Sequence, residues 1–98
     1  MASQLDPAGA ELQAILAAAD FSGARVLEIG SGNGRLTFRF APAARSVIGV
    51  DPKHADLVSA IRDCPVPLRA RVLFACASAI ALPFGDASFD IALLASAL

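Results

Sequence analysis

The sequence predicts an α/β fold, built on a parallel sheet with helices on both faces. Short and continuously apolar segments recur along the 98 residues, and patterns typical of helices lie between most of them. Strands that are buried on both faces have this apolar composition, and parallel neighbours are joined by helical crossovers. A glycine-rich turn follows the first of these segments and an aspartate follows the second. These three observations define the fold class.

The first predicted element is a helix over residues 7–20. Asp6 is suited to capping it, and Pro7 at the first helical position loses no hydrogen bond that a helix needs. A single apolar stripe then recurs at helical spacing. The residues of this stripe are Leu12, Ile15, Leu16 and Ala19.

The remaining elements alternate between strand and helix until the last two strands. In order, we predict a strand at 25–29, a short helix at 35–41 that Pro42 stops, a strand at 46–50, a helix at 52–62, and strands at 71–75 and 89–95. A parallel connection needs about a dozen residues. Residues 77–88 are therefore just long enough for one irregular crossover between the last two strands.

Composition excludes several classes of partner. The formal net charge is −1, which argues against a nucleic-acid surface. Spanning a membrane takes about 20 apolar residues, and the longest uncharged run is shorter, so no membrane partner is expected. The amino terminus lacks the basic and apolar regions of a secretory signal.

The two cysteines carry a prediction about compartment and metal binding. Cys64 and Cys76 have no metal-ligand spacing, and one histidine cannot complete a zinc site with them, so no metal is expected. An intracellular chain keeps such thiols reduced, which predicts a cytoplasmic protein. A single disulfide is the alternative.

The turn after the first strand, VLEIGSGNGRL, predicts close approach of backbone to a ligand. Glycines stand at 30, 32 and 34, and residues without a Cβ let a ligand approach the chain. The dinucleotide fingerprint needs its third glycine one position later, where this chain has Arg35. Glu28 would also repel a pyrophosphate, so a dinucleotide is disfavoured.

Asp51 follows the second predicted strand, 21 residues after Gly30. In nucleotide-binding α/β sheets, an acid at about this distance accepts hydrogen bonds from ribose hydroxyls. The alternative is that Asp51 caps the helix that begins with Pro52. The two roles are compatible.

These segments together resemble the class I S-adenosylmethionine-dependent methyltransferases. VLEIGSGNG is similar to the cofactor motif of the family, VIGVD to its second-strand motif, and LPFGDASFDIALLASAL, residues 82–98, to the fourth-strand region of its small-molecule methyltransferases. The resemblance implies a Rossmann-like sheet of strand order 3-2-1-4, incomplete beside the seven strands of the family. Residues 1–98 would then be a single truncated domain, the cofactor-binding half.

The resemblance also implies a set of residues that bind S-adenosylmethionine. Glu28 would lie near the amino group of the methionine part, Asp51 would hold the ribose, and Pro52 would flank the adenine. The turn that would pass along the methionine part consists of Gly30, Ser31, Gly32, Asn33 and Gly34. The alternative for Glu28 is a strand-end acid bonded to neighbouring backbone.

One position departs from the family pattern. Where the family has Asp-Ala after the third strand, this chain has Ser78 and Ala79. A serine hydroxyl can accept a hydrogen bond from the adenine amino group, but without the charge of a carboxylate. The alternative for Ser78 is an ordinary turn serine.

The function expected from the resemblance is methyl transfer to a small-molecule acceptor, provided that missing carboxyl-terminal strands or a partner chain complete the domain. No catalytic residue is assigned. One alternative is a non-catalytic S-adenosylmethionine-binding or interaction module, and a less favoured one is an NAD-dependent oxidoreductase. The fourth strand would be an apolar edge, and such edges pair with other chains. A homodimer through this edge is therefore a further expectation.

Overall fold

The computed structural model describes residues 7–77 and 88–94. The helices in these ranges are α1 (Pro7–Ala18), α2 (Thr37–Phe40) and α3 (His54–Asp63), and the strands are β1 (Arg25–Ile29), β2 (Ser46–Asp51), β3 (Val72–Cys76) and β4 (Ile91–Leu94). Two short 3-10 turns lie at Ala41–Ala43 and Val66–Leu68. The described strands form a parallel sheet of order β3-β2-β1-β4. Fold class and strand order are both confirmed.

The parallel register places an apolar row across the sheet. Val26 is paired with Val47 on one side and with Ile91 on the other, and Val47 is paired with Val72. Paired residues share a face of the sheet. Phe40 of α2 joins this row in the hydrophobic core and is fully buried. The short helix therefore packs on this face of the sheet.

Three predicted helix boundaries are wrong in the first half of the chain. Helix α1 ends at Ala18 rather than at residue 20, and the Asp20 carboxylate instead accepts the backbone N–H of Ser22 at 3.0 Å. Asp side chains that bind nearby backbone in this way favour turns over helix. Helix α2 begins at Thr37 and ends at Phe40 rather than spanning residues 35–41, and Pro42 lies near the start of the following 3-10 turn instead of stopping the helix. Proline fits there because an early position in a helical turn needs no N–H donor.

Helix α3 begins two residues later than the predicted start at Pro52. Lys53, in an extended conformation, is its cap residue and makes no side-chain capping bond. Asp51 is the last residue of β2 and not the helix cap. Strand β1 has its predicted bounds, and the boundaries of the other strands differ from the prediction by at most two residues. The predicted crossover between β3 and β4 lies mostly outside the described residues.

A charged contact aligns β4 with β1 at the amino end of the sheet. The Asp90 N–H donates to the Arg25 carbonyl at 2.8 Å, and the Arg25 N–H donates to an Asp90 carboxylate oxygen at 2.9 Å. The Arg25 guanidinium reaches both carboxylate oxygens at 3.2 Å. The two side chains remain 44% and 48% exposed. Asp90 thus fixes where β4 starts, a role that the sequence did not reveal.

No helix among the described residues is long and apolar enough to cross a membrane.

Both cysteines are free thiols, Cys64 buried and Cys76 exposed. The disulfide alternative is therefore wrong. The two outer strands of the described sheet each expose a leucine, Leu73 on β3 and Leu94 on β4.

Candidate cofactor site

The glycine turn lies against the carboxyl end of β2. The N–H groups of Gly30 and Ser31 both donate to the Val50 carbonyl, at 2.8 and 3.1 Å. The Gly34 N–H then donates back to the Ser31 carbonyl at 3.1 Å. Gly30, Gly32 and Gly34 have φ angles of 84°, 56° and 86°. Side chains other than glycine rarely adopt this left-handed region, so the backbone path itself requires glycine at alternate positions.

Gly32 and Gly34 serve different purposes within the turn. A Cβ on Gly34 would lie 2.6 Å from the Phe38 ring and 3.3 Å from the Ala60 Cβ, so this glycine lets α2 and α3 pack closely. A Cβ on Gly32 would meet no atom of the described residues within 4 Å. The backbone at Gly32 is therefore the part of the turn that a ligand can approach.

Asp51 ties the end of β2 to the glycine turn. One carboxylate oxygen accepts the Gly32 N–H at 2.9 Å, and the other accepts the Lys53 N–H at 2.9 Å. The residue is only 8% exposed. Each carboxylate oxygen has two lone pairs, so these two bonds leave acceptor capacity beside Gly32. Asp51 can hold the turn and accept from a ligand hydroxyl.

Glu28 is fully buried at the carboxyl end of β1. The Thr37 hydroxyl of α2 donates to its Oε1, and no donor among the described residues reaches its Oε2. Burial raises the pKa of Glu28 to about 7, against the opposing effects of the Thr37 hydrogen bond and the nearby Arg35 charge. A buried carboxylate without a full set of partners destabilises a fold. Its partner is thus a side chain and not the neighbouring backbone of the alternative interpretation.

Two site residues, Gly49 and Thr37, were missed at the level of sequence. Gly49 of β2 pairs in register with Glu28, and a Cβ on it would lie 2.8 Å from the Ser31 Cβ and 2.9 Å from the Phe74 ring. A glycine inside an otherwise apolar strand signals such a close approach, and VIGVD contains that signal. Thr37 lies nine residues from Glu28, and nothing local to its position indicates the contact.

The structure brings most of the predicted site residues together at the carboxyl end of the sheet. Those that it places around the turn and the end of β2 are Glu28, Gly30, Ser31, Gly32, Asn33, Gly34, Asp51 and Pro52. Asn33 accepts the Arg35 N–H at 3.1 Å, and Pro52 is exposed. The next strand also ends here, since Cys76 pairs with Asp51. Ser78 and Ala79 lie outside the described residues.

The carboxyl end of the described sheet offers few groups for other kinds of chemistry. The described residues contain no cluster of three or more His, Cys, Asp or Glu side chains that could hold a metal ion. His54 is exposed at the first residue of α3. Ser31 is buried, and its hydroxyl has no hydrogen-bond partner among the described residues. Among the described residues, this end of the sheet therefore offers the carboxylates of Glu28 and Asp51 and the unpartnered hydroxyl of Ser31.

Comparison with known proteins identifies relatives of this chain. A family profile described as a methyltransferase domain matches residues 26–98. None of the curated proteins compared with the chain matches it significantly.

Three solved structures illustrate the likeness. The YcgJ protein from Bacillus subtilis is 32% identical, with a TM-score of 0.77 over 85% of this chain and 36% of its own. A Thermotoga maritima protein, described as an S-adenosylmethionine-dependent methyltransferase and possible histamine N-methyltransferase, is 30% identical, with a TM-score of 0.68 over 90% of this chain and 36% of its own. The cyclase SpnF is 32% identical, with a TM-score of 0.65 over 72% of this chain and 27% of its own. The chain thus spans about a third of the length of these structures.

Proposed function

The chain belongs to the methyltransferase domain family, with a class I fold, and from that membership we propose that it binds S-adenosylmethionine and transfers its methyl group to a small-molecule acceptor. The observation that carries the proposal is the bond from the Gly32 N–H to the Asp51 carboxylate. It joins the turn that a ligand can approach to the acid suited to ribose hydroxyls. The Thermotoga maritima relative is described as dependent on S-adenosylmethionine, and the adenosine of this cofactor has such a ribose.

The charges at this edge fit a cation better than a pyrophosphate. Glu28 and Asp51 both lie at the carboxyl end of the sheet, one beneath the glycine turn and the other beside it. When bound, S-adenosylmethionine supplies an electrophilic methyl group on a positively charged sulfonium, and it carries an ammonium at its amino acid end. Two carboxylates near the turn attract these charges and would repel a dinucleotide. This contrast supports S-adenosylmethionine over NAD.

We assign distinct binding tasks to the site residues. Asp51 accepts hydrogen bonds from the ribose, and the turn from Gly30 to Gly34 follows the methionine part. Pro52 flanks the adenine from its exposed position after β2. Ser78 and Ala79 complete the adenine side in this proposal. We assign no catalytic residue, since aligning an acceptor with the methyl group in a dry pocket supplies much of the rate of such reactions.

The small-molecule acceptor is supported by two observations. The segment from 82 to 98 resembles small-molecule methyltransferases, and the Thermotoga maritima relative carries a description that names histamine as its possible acceptor. We further propose that the protein is cytoplasmic, as its reduced thiols suggest, and that the exposed edge of β4 pairs with a second copy. Analytical ultracentrifugation would detect that dimer, and a monomer at all concentrations would contradict it.

The test of cofactor binding is calorimetry on the full chain with Asp51→Asn. This change removes the charge but keeps an acceptor for one backbone N–H. Because hydrogen bonds to charged groups contribute about 1.5–3 kcal/mol, the variant should bind S-adenosylmethionine at least about tenfold more weakly. Asp63→Asn is the matched control, because Asp63 is exposed and pairs with its neighbour Arg62 far from the turn.

The wild-type chain separates the competing functions. We expect it to bind S-adenosylmethionine and not NAD. Binding of NAD alone would contradict the proposal and favour the oxidoreductase. Binding of S-adenosylmethionine without methyl transfer to any amine, hydroxyl or thiol acceptor tested would favour a binding module.

A further inference from the structure

The contact between Thr37 and Glu28 assigns a function to a residue outside the glycine turn. We propose that Thr37 is a positioning residue for the cofactor, which orients the Glu28 carboxylate and keeps it charged for the cationic end of S-adenosylmethionine. The inference rests on the proposed function, and deepens it. The side-chain hydrogen bond that the structure gives Thr37 is the one to Glu28, so the proposed effect on the cofactor passes through Glu28.

The geometry of the pair supports this role. Thr37 and Glu28 are both fully buried, and the hydroxyl donates to Oε1 alone. The second oxygen, Oε2, is buried and has no donor among the described residues. A carboxylate held by one oxygen has a defined orientation. Its remaining oxygen is left with acceptor capacity that only a further donor or a positive charge can use.

The position of Glu28 places this charge beneath the turn. Glu28 pairs with Gly49 of β2, and Gly49 is the residue on which Ser31 lies. The carboxylate and the middle of the turn therefore share one face and one level of the sheet. Because Glu28 is buried, it acts on a cation through a medium of low polarity, where charge interactions are strong.

The surroundings of Glu28 leave its charge finely balanced. On the adjacent strands, Glu28 is paired with Gly49 and Leu93, which carry no charge. Asp51 lies two residues further along β2 on the same face, and burial is the largest effect that favours the neutral form of Glu28. The Thr37 hydrogen bond and the Arg35 charge act the other way, and the pKa of Glu28 lies at about 7. Removal of the Thr37 hydroxyl should therefore move Glu28 toward its neutral form.

The experiment measures S-adenosylmethionine affinity against pH for the wild-type chain, Thr37→Val and Thr37→Ser. In the wild type we expect affinity to fall as pH drops through about 7, because protonation removes the Glu28 charge. The Val variant should shift this midpoint upward by about one pH unit, since it lacks a hydrogen bond to the charged form. The Ser variant keeps the hydroxyl and should keep the wild-type midpoint.

Two controls separate positioning from a general loss of structure. Ser59→Ala removes a hydroxyl that donates to the Ala55 carbonyl on α3, and it should leave the midpoint unchanged. The ligand 5′-methylthioadenosine has the adenosine but no amino acid end. Its affinity should respond little to the Val variant if Glu28 acts on the ammonium.

The outcomes distinguish this inference from the proposed function. If the wild type binds neither S-adenosylmethionine nor 5′-methylthioadenosine, both fail together. If it binds both and the Val variant keeps the wild-type midpoint, the positioning role of Thr37 is wrong and the proposed function stands. A Val variant that affects both ligands equally also contradicts the inference.

A measurement on the wild type covers the case in which the Val variant does not fold. Carbon-13 NMR of labelled Glu side chains follows the Glu28 carboxyl directly, identified by its absence in Glu28→Gln. S-adenosylmethionine should lower its titration midpoint, because a bound cation stabilises the charged form. An unchanged midpoint on saturation would overturn the inference.

Discussion

Strand β1 has an acidic contact at each end, and the two contacts differ in every physical respect. At its amino end, Arg25 meets Asp90 in an exposed ion pair that also joins the backbones of β1 and β4. At its carboxyl end, Glu28 is buried and bound by one neutral hydroxyl. In the first contact, the charges of Arg25 and Asp90 neutralise each other. The second leaves a negative charge that the described residues do not neutralise by direct contact.

The pKa values of the two acids shift in opposite directions, in line with this difference. The Arg25 hydrogen bonds lower the pKa of Asp90, whereas burial raises the pKa of Glu28 to about 7. A protein gains nothing in stability from an acid of the second kind. The comparison shows that the contact at the amino end of β1 organises the sheet. The carboxyl end instead retains a destabilising acid, and a cationic ligand bound there would offset its destabilising effect.

The largest expected effect comes from filling the turn at the carboxyl edge. Gly34→Val places a branched side chain at a positive φ and within contact of the Phe38 ring and Ala60. Strain of about 1–3 kcal/mol and overpacking of about 1–3 kcal/mol together predict a loss of roughly 4 kcal/mol. Urea unfolding measures it, with Gly32→Val as the matched control.

The control separates strain from packing. Gly32 shares the positive φ but has open space around its Cβ, so Gly32→Val should lose only about 2 kcal/mol from strain. Equal losses for the two variants would show that the turn is not packed against α2 and α3, and that its shape is independent of the helices.

The next effect concerns the buried acid and has a definite sign. The pKa of Glu28 in the folded chain is about 7, above its usual 4.5, so the folded state binds more protons between these values. Stability from this group should therefore fall as pH rises from about 4.5 to 7, by about 3 kcal/mol in all. Glu28→Gln lacks this dependence and should be more stable than the wild type at pH values above about 7.

Urea unfolding of both chains on either side of this pH range tests the prediction. The difference between the chains isolates Glu28, because the other acids are common to both. A difference that does not change with pH would mean that Glu28 is not an uncompensated buried acid. The contrast between the two ends of β1 would then lose its basis.

The smallest effect is expected at the amino edge. Asp90→Asn removes the charge and keeps an acceptor for the Arg25 backbone N–H. Since the pKa of Asp90 is lowered, its contribution to stability is present above its unfolded pKa and is lost as pH falls through the folded value. The pair is exposed, so the loss should be small and should vanish at high salt.

Thermal unfolding at low and high salt measures this change. A large loss that persists in high salt would show that the pair acts as a structural element rather than as an exposed contact. Asp63→Asn, which breaks another exposed pair, is the reference for a surface effect of ordinary size.

Much of the candidate site was predictable because its signals are local. The positions of Gly30, Gly32 and Gly34 in the sequence already specify a turn after β1, and the structure gives all three a positive φ. The apolar run that ends in Asp51 specified both the strand and its terminal acid. Helix boundaries were less predictable, since Asp20 and Asp51 divert backbone N–H groups into turns that apolar periodicity does not reveal.

The sequence by itself determined the order of elements, the parallel sheet, the glycine turn and the family to which they belong. Each depends on residues that are neighbours along the chain, where apolar runs and missing side chains act directly on the backbone. Only the tertiary structure decided that Thr37 binds Glu28, that Gly32 binds Asp51 and that Arg25 binds Asp90. Those contacts depend on strand register and helix placement, which the packing of the whole sheet determines together.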